Sequence, residues 1–196
     1  MQQDDYYVME SENNDDYPLF AWDQTSEDII KGMPVNSVAP RRVRLSDPLS
    51  PGYKLVDYHV MPEPVLSTRF KNVIAMLNIP GIQLLPLILN LPKPKAPLAD
   101  AYWLLHAGNA ISCLDKVNSD VEYSKSGNTI FGIDKLVIDE KILGGMPLEK
   151  RLLFVLAENT SVYLLHKSVV ETIQGSHFTG CRFFKVSEWN SDVAFD

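Results

Sequence analysis

Few side chains in this sequence could do covalent, acid–base or metal chemistry. There are four histidines, His59, His106, His166 and His177, and two cysteines, Cys113 and Cys181. No histidine stands at metal-ligand spacing from another His or Cys, and neither HExxH nor CxxC occurs. Cys113 with His106 would make a thiol–base pair, but a nucleophilic thiol needs a depressed pKa and an orienting group. Cys113 lies in the apolar stretch ISCL, which raises a thiol pKa, so packing is the better role for it. There is no GxSxG elbow. The glycine-bearing SKSGNT and GSHFTG lack the GxxxxGK[ST] form of a phosphate loop and read as turns. Asp134, Asp139 and Glu140 flank an apolar strand, where solvated carboxylates are expected. His166 sits just before the last helix and is expected to make a structural hydrogen bond. On this reading the chain has no catalytic residue, no metal site and no cofactor.

The charge is placed unevenly. The net charge is −7, and nine of the 25 acids precede Lys31, the first base. The rest of the chain therefore holds 16 acids against 18 bases. An acidic front argues against nucleic acid as the primary ligand, because phosphate binding needs a basic patch. It suits a basic protein partner, steered electrostatically. The candidate partner-binding residues are Glu10, Glu12, Asp15, Asp16 and Trp22. Trp22 is included because tryptophan is enriched at binding hot spots and this one lies within the acidic segment, where exposure is expected. Trp103 sits in an apolar run and is expected in the core; Trp189 is undecided. The plainer alternative is a solvated acidic edge that only aids solubility.

A chain of 196 residues with 45% apolar content can bury roughly 70% of its unfolded surface without metals or disulfides. Two cysteines make no disulfide framework, which points to a reducing, cytoplasmic compartment. The start, MQQDDYYVME, has no basic or apolar signal-peptide region. The most apolar stretch, 79–91, is too short for a membrane span and is broken by Pro80 and Pro86.

The elements that must position these groups read as follows. Strands are expected at 5–9, 17–22, 41–45, 53–60, 81–89, 101–106 and 133–138, with a loop at 10–16. Helical turns are expected at 25–31 and 109–116, a linker at 92–97, and a hairpin tip at SKSGN. The clearest helix is 67–77. Phe70, Val73, Ile74 and Leu77 share one face of a 3.6-residue period, and Ser67 is its N-cap. Pro86 suggests that strand 81–89 is an edge or bulged strand. Runs 152–156 and 162–165 read as a hairpin around Glu158-Asn159-Thr160-Ser161. Ser168 to Glu171 spells a capping box, Gly175 suits a left-handed C′ position, and 178–186 is a last strand. Gly81 and Gly180, and Ile74 and Ile173, share one offset of 99, which either two copies of a strand–helix–strand unit or chance recurrence of a common motif would produce. The expected class is α+β, mostly antiparallel sheet with a few short helices. It forms one domain over 1–196, or two similar halves, 1–92 and 98–196.

The ordered set YYVM, YKLVDYHV, PVLSTRFKNVI with PGIQLLPL, AYWLLH with ISCLDKVNSD, FGIDKLVIDE, RLLFVLAEN, SVYLLHKSVVETI and FTGCRFFKV resembles the "immunity eleven" family of bacterial polymorphic toxin systems. The resemblance covers nearly the whole chain and is weakest before Tyr53. It implies a protein that binds a cognate toxin and prevents self-intoxication. It carries over no catalytic residue and does not identify the toxin. Two other readings stay open: a small hydrolase whose site assembles from distant residues, and a scaffold subunit without a toxin partner.

Overall fold

Apolar runs of four to six residues, closed by Gly, Pro and Asn, make strand the dominant element. The computed structural model describes residues 3–25, 29–37, 39–91, 101–125, 127 and 129–193. In chain order the strands and helices are β1 (Tyr6–Ser11), β2 (Phe20–Trp22), β3 (Arg41–Leu45), β4 (Tyr58–His59), β5 (Val65–Ser67), α1 (Thr68–Met76), β6 (Ile82–Asn90), β7 (Tyr102–Ala107) and β8 (Ala110–Ile111). There follow β9 (Asp120–Tyr123), β10 (Ile130–Lys135), α2 (Glu140–Gly144), β11 (Leu153–Leu156), β12 (Asn159–His166), α3 (Lys167–Gln174) and β13 (Cys181–Lys185). The class is α+β. One sheet runs β2-β3-β6-β7-β5-β4, a second runs β13-β1-β12-β11-β8, and β9 and β10 form a separate ribbon.

The core lies in three layers. The middle one collects Leu66 and Leu105 from the six-stranded sheet and Leu153, Val155 and Leu165 from the five-stranded sheet. Phe70 and Ile74 of α1, and Val169, Val170 and Ile173 of α3, fill it from the helices. The outer face of the six-stranded sheet packs around Phe20, Val43 and Leu104. The outer face of the five-stranded sheet packs around Val8, Phe154, Leu164 and Ile133. Alternate residues of one strand thus enter different layers, as the period of two requires. A strand covered on both faces loses its polar alternation, and all four residues of β11 are buried.

The offset of 99 is structural. Ser67 and His166 are the N-caps of α1 and α3. Asn78 and His177 both have left-handed φ, as do Gly81 and Gly180. Each helix joins two strands that flank one antiparallel strand between them: β5-β7-β6 in one sheet and β12-β1-β13 in the other. The middle strands come from elsewhere in the chain. β7 lies beyond 92–97 and completes the N-terminal unit, while β1 completes the C-terminal one.

Several local expectations are corrected. Residues 109–116 do not form a helical turn, because β11 claims their backbone: Val155 N–H donates to Asn109 O at 3.1 Å and Ala157 N–H to Ile111 O at 3.0 Å. Of 53–60 only β4 is strand. Pro86 stands in an interior strand, at the handover where pairing passes from β7 to β3. A residue without an N–H is tolerated at such a change of partner. Ser168 is not the cap of α3. His166 is, its side chain accepting from the Ser168 N–H, and Gly175 is right-handed with φ −60°. The left-handed residue that turns the chain is His177. Trp103 is half-buried, with Nε1–H donating to Thr68 Oγ1 and Lys71 over its ring. Residues 92–97, 26–28 of the expected turn 25–31, and part of the SKSGN tip lie outside the described residues.

Candidate functional site

β1 runs two residues further than its apolar pattern, so Glu10 and Ser11 are strand rather than loop. Glu10 stands opposite Arg182 of β13, and Trp189 Nε1–H donates to its Oε1 at 2.9 Å. Burial raises the Glu10 carboxyl above the ordinary carboxylate value, while the indole hydrogen bond and Arg182 oppose that shift. Glu12 is held reciprocally by Gly180. The Gly180 N–H donates to Glu12 Oε2 at 2.9 Å, and the Glu12 N–H donates to Gly180 O at 3.0 Å. Gly180 has φ +88°, and a Cβ there would lie 2.5 Å from Tyr58 O and Val56 Cγ2. Only glycine lets these segments approach so closely.

The neighbouring residue, Asp57, ties the two repeated units together. It accepts from Thr179 N–H and Oγ1–H at 2.9 Å each, from Ser67 Oγ–H at 2.7 Å, and from Arg69 Nε–H at 2.6 Å. Burial pushes its carboxyl up, but the Arg69, Thr179 and Ser67 hydrogen bonds together outweigh burial and hold it at about 2. Glu63 makes a second tie, accepting from the Tyr163 hydroxyl at 2.7 Å.

These contacts frame a cleft of about 530 Å³. Its polar rim carries Glu10, Glu12, Asp15 and Asp47, and its apolar surface includes Leu19, Leu49, Tyr53, Tyr58 and Met61. Leu19 is 51% and Met61 47% exposed, so apolar surface meets water beside carboxylates. Among the described residues no Lys or Arg lines the cleft. His59 forms part of the wall and is neutral. It stacks on Phe20 with ring centroids 4.4 Å apart, and its Nε2 accepts from the Val56 N–H at 3.2 Å. Nδ1–H then donates to Pro18 O at 2.9 Å. Burial drives its pKa down to about 4, despite the hydrogen bonds to Pro18 and Val56.

Glu10, Glu12 and Asp15 therefore converge on one cleft. Asp16 stands behind it as a fastener between loops, accepting from Ser50 Oγ–H at 3.0 Å and pairing with Lys54 at 3.6 Å. Trp22 is elsewhere: it is half-buried on β2 and packs against the outer layer of the six-stranded sheet, so the expectation that it stands free is corrected. Sequence reasoning missed Leu19, Asp47, Tyr53, His59 and Met61. The turn-rich SDPLSPG was the available signal, since loops set beside acidic segments often carry binding residues.

The candidate thiol–base pair is not assembled. His106 is fully buried in β7 with Nε2–H donating to Met33 O at 2.7 Å, and its other ring nitrogen has no partner among the described residues. Cys113 sits in the outer layer of the five-stranded sheet, where burial pushes its thiol up to about 12. Burial does the same to Cys181. Among the described residues no group of three or more His, Cys, Asp or Glu is placed to hold a metal ion. None of their helices is long and apolar enough to cross a membrane.

The model of the Immunity protein family (Imm11) matches residues 30–188. The chain belongs to this immunity protein family. No curated protein matches it. The family match spans α1 and α3 with the strands that each joins, but not β1, and it takes in one wall of the cleft, 46–61 with Gly180. The other wall, 10–19, precedes the matched residues.

Proposed function

We propose that this protein neutralises a cognate bacterial toxin by stoichiometric binding in the cytoplasm of the producing cell. The observation that carries the reading is membership of an immunity protein family over residues 30–188. The acidic cleft supports a binding role. Its carboxylates are oriented by Trp189 and Gly180, and its surface is apolar and open. Preoriented polar groups around an apolar floor favour tight association, because little freedom is lost on binding. We place the toxin contact at this cleft, with Glu10, Glu12 and Asp15 contributing directly and Asp16 indirectly.

The test is co-expression with the C-terminal domain of the protein encoded immediately upstream, scored by growth and then by co-purification. Restored growth with a stable one-to-one complex is expected. Restored growth without a complex would replace binding by enzymatic reversal of the toxin's damage. A domain that is toxic and not relieved by co-expression would remove that pairing.

A further inference from the structure

We infer that the cleft takes an arginine side chain of the toxin, with the guanidinium at the Glu12–Asp15 rim and the stem along Leu19 and Met61. This rests on the toxin-binding reading above and names the chemistry of its contact. Three observations carry it. First, among the described residues every charged group lining the cleft is a carboxylate, and the histidine there, His59, is locked neutral because its Nε2 accepts the Val56 N–H. Second, among the described residues the cations beside its lining residues, Lys54 next to Tyr53 and Arg182 opposite Glu10, are engaged. Lys54 pairs with Asp16, and the Arg182 guanidinium donates to the Ser11 and Val193 carbonyls. Third, exposed Leu19 and Met61 border the carboxylates. An occupant must therefore bring positive charge and apolar stem together, as arginine and lysine do. The planar guanidinium fork engages carboxylates bidentately and stacks on aromatic rings such as Tyr53, whereas an ammonium is a hydrated point charge. About 530 Å³ holds one such side chain and its immediate neighbours.

Two protons report on the site without any toxin: the Trp189 indole N–H, bonded to Glu10, and the Gly180 amide, bonded to Glu12. The probe is the peptide N-acetyl-Leu-Arg-Leu-amide, titrated into the full chain by proton–nitrogen NMR, beside the same peptide with citrulline for arginine. The expected result is saturable shifts of both signals. Citrulline should bind roughly tenfold more weakly, since it keeps the shape and loses the charge. Glu12→Gln combined with Asp15→Asn should weaken the arginine peptide similarly; the glutamine can still accept from Gly180, so the fold is kept. Absence of saturable shifts at millimolar peptide, or equal binding of citrulline, would overturn the inference. Because the probe is not the toxin, that failure leaves the co-purification result standing, and the reverse also holds.

Discussion

Asp57 shows how one carboxylate can hold two units together. Its oxygens serve Ser67, the cap of α1, Arg69 on the same helix, and Thr179 ahead of β13. Asp57→Ala should cost about 2 kcal/mol, read from urea unfolding, because it strands the Ser67 and Thr179 donors, while half-exposed Arg69 keeps the His177 carbonyl. His59 carries a pH signature. Its folded pKa, about 4, lies below the ordinary 6.5, so the unfolded chain binds a proton that the folded chain excludes. Stability contributed by the neutral ring is complete above 6.5 and is lost as pH falls from 6.5 towards 4. His166, also lowered by burial, acts in the same direction, and Glu10, raised by burial, opposes it. His59→Gln should therefore flatten, not abolish, the slope of unfolding free energy over that window. The thiols offer a further check. With Cys113 and Cys181 both at about 12, folded protein at pH 8 should resist iodoacetamide and react only on unfolding.

At the level of elements, caps and glycines carry consequences that apolar periodicity does not reveal. α3 is capped by an imidazole accepting the Ser168 N–H. His166→Ala should destabilise by about 1 kcal/mol. The two equivalent glycines are not equally demanding. A Cβ at Gly81 would meet Asn109 side-chain atoms at 3.0 Å, whereas at Gly180 it would meet the Tyr58 carbonyl at 2.5 Å. The first contact is relieved by a few tenths of an ångström, whereas the second requires backbone to shift. Gly180→Ala should therefore cost more than Gly81→Ala, by about 1–2 kcal/mol in paired melts, beyond the left-handed strain common to both.

For the whole molecule, the decisive feature is the exchange of middle strands. β1 pairs with both β12 and β13, joining the chain's start to its end at one side of the five-stranded sheet. Near- and far-ultraviolet circular dichroism should report one coincident unfolding transition. Removing residues up to Ser11 should abolish it, since the deletion takes the strand between β12 and β13. Charge also acts at this scale. Three acids of the front, Glu10, Glu12 and Asp15, line the cleft, so association with a basic partner there should be faster at low salt. Replacing Glu12 and Asp15 by lysine should slow it and reduce its salt dependence.

The shared left-handed setting of Gly81 and Gly180 came from the structure. By itself the sequence determined the α+β class, the capped helix α1, the hairpin β11–β12, and a concentration of acid at the front. These are local or periodic properties: a cap needs a side chain within three residues, and a hairpin needs two runs and a turn. The family resemblance was legible for the same reason, as an order of short motifs. Tertiary structure alone decided that β1 completes the C-terminal unit, that 109–116 is drawn into strand by β11, and that Trp22 packs inward. It alone decided that Glu10, Glu12 and Asp15 share a cleft with Asp47, His59 and Met61. Each of these depends on backbone or side-chain partners tens of residues away. A backbone N–H takes whichever carbonyl the fold brings to it, and an acid's role follows from which neighbours neutralise it and which leave it facing solvent.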